Sequence, residues 1–400
     1  MIKKVINSLS AHKYYYLVIS VLFLYETCMF LAEVDAYSHS YNITLTKPLL
    51  GLLVGLLTIY VIKNIIYIPK ASYINFWRNW LIITLLVCLP IHILLYPQYD
   101  FYEITIQFVR LFYLPVMLFY FTAIQFRKNE FDAHSAFLPY LVFWIVIAFL
   151  YFKNIGIIVA LRETQNLLYS VNFVYYLFLA IPALLFFKKN IYIPALIITA
   201  IAIMLSGKRG PIFVILLICL IHPILQAFIV KGRVSKSIGA LLLMAVALLF
   251  LSVYFQDIFE RSIDRVLSLK SDKGSGREDI YKIVLEGYFN KDVSGILFGN
   301  GFESTKVLTN GYTAHNDIIE VLYNYGFIAF LILLSLYKNL IEKIKIMYRR
   351  LPAYAFGYWG SVILFVFLSN ISHIINYPHF MLLVPLWSFV FYQVHNIESK

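Results

Sequence analysis

What most constrains this chain is a series of long apolar runs, joined by mostly short polar links, over nearly its whole length. A helix crosses the hydrocarbon layer of a bilayer with about 20 apolar residues. Backbone polar groups find no water there, so only helices and closed barrels span. Barrel strands alternate apolar and polar residues over about ten positions, and these runs do not alternate. The expected fold is therefore an all-α polytopic membrane protein with twelve transmembrane helices. The spans are expected at 14–33, 48–68, 80–97, 104–126, 137–153, 170–187, 191–207, 211–230, 237–255, 317–337, 353–372 and 377–395. Composition agrees: 61% of residues are hydrophobic and 14% charged, against about 45–50% and about 25% in soluble chains. That excludes a soluble, disordered or fibrous protein. Lys3, Lys4 and Lys13 precede the first run and no small-residue cleavage site follows it, so a retained helix is expected rather than a signal peptide.

A net charge of +12 would suit nucleic-acid binding if it were gathered on a soluble face. Instead most of the cations flank the apolar runs, as membrane proteins keep them, and no nucleic-acid partner is expected. With the N-terminus inside, the inner links and span ends hold Lys63, Lys70, Arg78, Arg127, Lys128, Lys188, Lys189, Lys231, Arg233, Arg349 and Arg350, among others. The short outer segments keep only Lys47, Arg110, Lys153, Arg162, Lys208 and Arg209. Both termini are therefore expected in the cytoplasm. One long outer loop, 256–316, separates residues 1–255, with helices 1–9, from residues 317–400, with helices 10–12. The loop is expected to contain short amphipathic helices. Cys28, Cys88 and Cys219 sit inside apolar runs with no pairing or metal-ligand spacing, so they read as small hydrophobes.

Four outward features could carry chemistry. The turn Ser206-Gly207-Lys208-Arg209-Gly210-Pro211 puts two cations among small residues at the outer edge, where arginine can hold a phosphate bidentately. The bland alternative is a turn with snorkelling cations. In Gly274-Ser275-Gly276-Arg277-Glu278, Ser275 and Glu278 form a capping-box pattern. Ile280, Ile283, Val284 and Tyr288 then recur at helical spacing. Arg277 would lie in the first turn, beside free N–H groups that favour anions, or would simply be solvated. The glycines of Gly299-Asn300-Gly301-Phe302 permit tight turns and close backbone approach. In His315-Asn316-Asp317, the loop re-enters the membrane. Asp317 and Glu320 resemble a second capping box, and His315 is a side chain suited to proton transfer near neutral pH. Glu26 and Arg110 lie in or beside spans, where ionisable groups face a partner or a cavity. They could pair with each other. Arg162 is a further anion-site candidate. His92, His222, His373 and His379 lack metal-ligand spacing, so neither metal nor cofactor is expected.

The motifs "SGKRG" (206–210), "GSGREDIY" (274–281), "GNGF" (299–302) and "AHNDIIEVLYNYG" (314–326), set around one large outer loop between late helices, form a recognisable pattern. Over about 200–335 the chain resembles the family of bacterial O-antigen polymerases and O-antigen ligases. The resemblance implies a metal-independent glycosyltransferase of the inner membrane. Such an enzyme moves glycans from undecaprenyl diphosphate at the periplasmic face, onto a lipid-linked repeat unit (polymerase) or onto lipid A-core (ligase). It implies that Arg209 and Arg277 hold the diphosphate and that His315 contacts or deprotonates the acceptor hydroxyl. Lys208, Arg162, Arg110, Asn316 and Asp317 complete the substrate-binding set. The implied partners are undecaprenyl-diphosphate-linked oligosaccharides, membrane lipid and a chain-length regulator. The "HND…LYNYG" block and the compact loop favour the polymerase. The rival of another class is a lipid-linked oligosaccharide flippase, which should line a central cavity with charge across many helices. Here the polar residues concentrate outside.

Overall fold

A computed structural model describes residues 12–38, 45–69, 75–79, 90, 93–94, 105–106, 108–129, 131–157, 173–206, 209–229, 277–301, 303–372, 375 and 378–398. Among these the chain is all-helical. In chain order the helices are α1 (Lys13–Ser38), α2 (Thr46–Lys63), α3 (Leu114–Lys128, entered through a π turn at Val109–Tyr113), α4 (Ala133–Lys153) and α5 (Phe173–Leu184). There follow α6 (Lys189–Ser206), α7 (Arg209–Ile229), α8 (Arg277–Phe289), α9 (Val293–Phe298) and α10 (Ser304–Leu308). The last are α11 (Asp317–Arg350), α12 (Pro352–Ile371), a 3₁₀ turn at Pro378–Leu383 and α13 (Val384–Glu398).

Eight of the described stretches are long and apolar enough to cross a membrane, and Phe173–Leu184 and Phe213–Leu225 are shorter apolar helices. The protein is an integral membrane protein. The expected spans at 80–97 and 237–255 lie outside the described residues apart from Pro90, Ile93 and Leu94. One boundary is corrected: the helix expected at 317–337 runs on to Arg350 and breaks at Gly326, where φ is +80°.

The spans sort their faces by helical spacing. On α4, Phe137, Tyr140, Trp144, Ile147 and Tyr151 are buried, while Val142, Ile145, Val146 and Phe149 are exposed. Lipid is as apolar as the core, so association relies on packing and on interhelical hydrogen bonds. Tyrosine hydroxyls supply many of these. Tyr140 donates to the Leu382 carbonyl at 2.7 Å, Tyr151 to Ala202 at 2.8 Å and Tyr358 to Leu340 at 2.6 Å.

These contacts also sort the helix ends. Tyr15 donates to Ala136 at 2.8 Å and Lys128 to Asn64 at 2.9 Å, which brings Lys13, Lys63, Arg127 and Lys128 to one end of the array. The helix directions put Lys188, Lys189, Arg349 and Arg350 at that same end. The opposite end carries Tyr175, Arg277, Asp317 and Ser372, and this is where α8–α10 lie.

The segment expected as an outer loop forms a small core of its own. Val284 and Tyr288 of α8 pack with Tyr323 of α11, flanked by Ile280, Ile296, Leu308, Ile319 and Leu322. Val284 and Tyr288 thus take the buried face that their spacing predicts, whereas Ile283 is exposed. Ser275 lies outside the described residues, and α8 begins at Arg277.

Candidate functional site

The carboxyl end of α12 is where the sequence's outward features meet. Arg277 Nη1 donates to the Ile371 carbonyl at 2.8 Å, so the first residue of the loop helix docks on a span terminus. A cation is favoured at a helix C-terminus, where orphan carbonyls concentrate negative partial charge. Arginine carries five N–H donors in a planar fork. Among the described residues only one of Arg277's has a protein acceptor. Arg277 is therefore docked rather than solvated, and only partly buried.

Around that terminus stand Tyr175, whose hydroxyl meets Ser372 Oγ at 2.8 Å, and Asp317, whose Oδ2 accepts from the Ile375 N–H at 2.9 Å. Arg277 and Asp317 both act electrostatically on Tyr175. The turn that sequence reading singled out as Ser206–Pro211 reaches the same place. A Cβ on Gly210 would stand 3.1 Å from Ile371, so the start of α7 packs against the residue whose carbonyl holds Arg277. Arg209 opens α7, and its backbone is therefore at this terminus; its side chain is outside the described set. Lys208 and Arg162 lie outside the described residues.

The His315-Asn316-Asp317 block corrects the expected capping box. Asn316 is the N-cap, its Oδ1 accepting from Ile318 N at 3.0 Å and Ile319 N at 3.2 Å. That frees Asp317 to bind Ile375, and Glu320 reaches back to the Ala314 N–H at 2.6 Å. Between these fixed neighbours His315 is held at φ +52°, a region that costs a non-glycine residue energy and clusters at functional sites. Tyr281 lies one turn beyond Arg277, and α8 packs on the N-terminal part of α11 through Val284, Tyr288 and Tyr323. Burial pushes the Tyr281 phenol up, against the opposing pull of the Arg277 charge.

Two motifs turn out to be architectural. Asn300 N and Gly301 N bond to the Tyr323 and Asn324 carbonyls at 2.9 and 3.1 Å. Asn324 Oδ1 accepts from Ser304 Oγ, Thr305 N and Thr305 Oγ1 at 2.9, 3.0 and 2.8 Å. The "GNGF" turn and the "YNYG" stretch therefore hold each other.

Arg110 and Glu26 are not a pair. Glu26 Oε2 meets His379 Nδ1 at 3.1 Å, while the Arg110 charge acts on Tyr25 and its Nε has no partner among the described residues. His379, which lacked metal-ligand spacing in the sequence, went unnoticed as Glu26's partner because 353 residues separate them. Among the described residues no group of three or more His, Cys, Asp or Glu side chains could hold a metal ion.

Comparison with known proteins bears on this same stretch. A family model described as O-antigen ligase matches residues 194–334, about a third of the chain. The matched residues include Arg209, Arg277, His315, Asn316 and Asp317 and leave out Arg110 and Arg162. No curated protein matches the chain.

Proposed function

We propose that this protein is a glycosyltransferase of surface-polysaccharide assembly, an O-antigen polymerase that moves a glycan from undecaprenyl diphosphate onto a lipid-linked repeat unit. The observation that carries the reading is Arg277. Within the matched stretch it is fixed on the helix terminus where Tyr175, Asp317 and Ser372 also stand, and among the described residues its fork has one protein acceptor. The end bearing Arg277 is assigned to the periplasm and the lysine-rich end to the cytoplasm, in the inner membrane, with both chain termini cytoplasmic.

The chemistry follows from these groups. As the sugar's bond to the diphosphate breaks, negative charge develops on the leaving oxygen. Preorganised cations stabilise it without reorganising, and Arg277 and Arg209, with Lys208, are assigned that task. Arg162 and Arg110 serve as further substrate cations. His315 and Asn316 contact the acceptor hydroxyl, and a positioned proton acceptor contributes about 10²–10⁴-fold. Asp317 acts through the Ile375 amide, holding the site's floor. Both substrates are lipid-anchored, which suits a site at the bilayer surface, and a chain-length regulator is an expected partner.

The compact loop and the "HND…LYNYG" block support polymerase over ligase, while the description of the matched family supports the second reading, transfer to lipid A-core. A gel of surface polysaccharide from a deletion strain separates them. Core bearing a single repeat unit is the expected result. Bare core with long chains retained on undecaprenyl diphosphate would mean ligase. Bare core without lipid-linked chains outside would mean a flippase and overturn the enzyme reading.

A further inference from the structure

A buried group of ionisable side chains stands beside the site, and the proposed chemistry does not use it. Glu26 of α1 has a side chain 1% exposed, and His379 one 5% exposed. Glu26 lies about 20 Å along α1 from Lys13, and Glu33 about 30 Å, at 1.5 Å per residue. His379 Nδ1 meets Glu26 Oε2 at 3.1 Å, and its Nε2 lies 4.0 Å from Glu33 Oε1. Tyr176 donates to Glu33 Oε1 at 3.0 Å and sets its ring 4.5 Å from the imidazole. Among the described residues Glu26 Oε1 has no hydrogen-bond partner.

Ionisable groups inside a membrane are costly, and they mark function more often than bulk stability. Replacing a buried charged pair with apolar residues is often neutral or stabilising, and placement is the best-attested use of such a pair. Here the placement is visible. Ser372, Ile375 and His379 are successive anchor points after α12. Tyr175 holds the first at 2.8 Å, Asp317 the second at 2.9 Å and Glu26 the third. Tyr175 and Tyr176 are neighbours on α5, one facing the candidate site and the other facing the buried group. Ile371, whose carbonyl docks Arg277, immediately precedes the first anchor.

We propose that Glu26 and His379, supported by Tyr176 and Glu33, are positioning residues. They fix the start of the 3₁₀ turn from inside the membrane, and through it Ile375 and Ser372, and so set where Asp317 and Arg277 stand. The consequence for turnover rests on the function proposed above; the anchoring itself does not.

The test uses the full-length protein in lipid nanodiscs. Amide exchange at Ile375 in H379A should rise at least tenfold, with amides in the middle of α4 unchanged. H379N, whose amide N–H can occupy the place of Nδ1, should return exchange to within threefold of wild type. E26A, which removes the carboxylate that His379 meets, should also speed exchange at Ile375, and it decides the matter if H379A fails to fold. In transfer assays with undecaprenyl-diphosphate-linked oligosaccharide, H379A should lower kcat at least tenfold while acceptor KM stays within twofold. Unchanged exchange at Ile375 overturns the anchoring. Faster exchange with unchanged kcat overturns the positioning role. If wild type transfers nothing, the proposed function falls, and the exchange result still decides the anchoring.

Discussion

Gly326 and Gly299 lie back to back: a Cβ on Gly326 would stand 2.5 Å from the Gly299 nitrogen and 2.4 Å from the Leu297 carbonyl oxygen. Gly299 is as constrained from its own side, where a Cβ would meet the Asn324 carbonyl oxygen at 2.3 Å. Both have positive φ, +83° and +80°. This contact joins the loop's short helices to the kink in α11.

Alanine at either glycine must therefore displace backbone rather than a flexible side chain, and must also adopt a left-handed conformation that costs about 1–3 kcal/mol by itself. G299A and G326A should each lose most of the properly folded protein. Gly311 provides the control, because its φ is +98° but open space surrounds it, and G311A should lose far less. Fluorescence-detected size exclusion of the three variants at equal expression checks the ordering; equal behaviour of G311A and G326A would refute it.

The spans were legible because their signal is composition over about 20 residues, which needs no partner to read. The outward motifs were legible as locations. Their division of labour was not, since it depends on contacts between distant segments. The "GNGF" and "LYNYG" stretches read as motifs of a site and prove to hold each other, Asn300 bonding the Tyr323 carbonyl and Gly301 that of Asn324. Asp317 looked like a cap, yet the cap is Asn316, because a side chain one position earlier already satisfies the first N–H groups of α11. Glu26 offered no clue to His379. Arg277 was marked as an anion candidate, but its docking on Ile371 depends on where α12 ends in space.

The Asn316 cap gives a second prediction. Its Oδ1 satisfies two N–H groups of α11. N316A should destabilise the protein by about 1 kcal/mol, read as a lower midpoint of denaturant or thermal unfolding in detergent. N316S keeps a capping oxygen and should restore most of that stability. If Asn316 also touches the acceptor, N316S remains impaired in transfer while its stability returns. Recovery of both would leave Asn316 a cap alone.

The pH dependence of the loop should show at Asp292. This residue caps α9, accepting from Ser294 Oγ at 2.7 Å and Gly295 N at 3.1 Å. Those bonds, Ser294's foremost, favour the carboxylate and hold its pKa below the ordinary 3.8. A carboxyl lowered in the folded state contributes stability above its unfolded pKa and loses it as pH falls through the folded one. Protection of the Gly295 amide should therefore be constant from neutral pH down to about 4 and decline below that. D292N retains an acceptor and should flatten this decline, measured by amide exchange at stepped pH. A decline of equal size in D292N would assign it to another group.

The strongest prediction concerns Arg277, because two roles meet in one guanidinium. Its Nη1 docks on Ile371, and in the proposed function the rest of the fork holds the diphosphate. R277A removes both. Loss of one preorganised donor to a developing oxyanion costs about 10²–10³-fold in kcat, so transfer should fall by at least that factor. R277K separates the roles, because lysine keeps the charge and one contact but lacks the planar fork. If the fork binds diphosphate, R277K should keep a wild-type melting temperature and still lose most of the activity. If Arg277 only closes the end of α12, lysine should restore activity and stability together. Measuring kcat, donor KM and melting temperature for both variants decides between these outcomes.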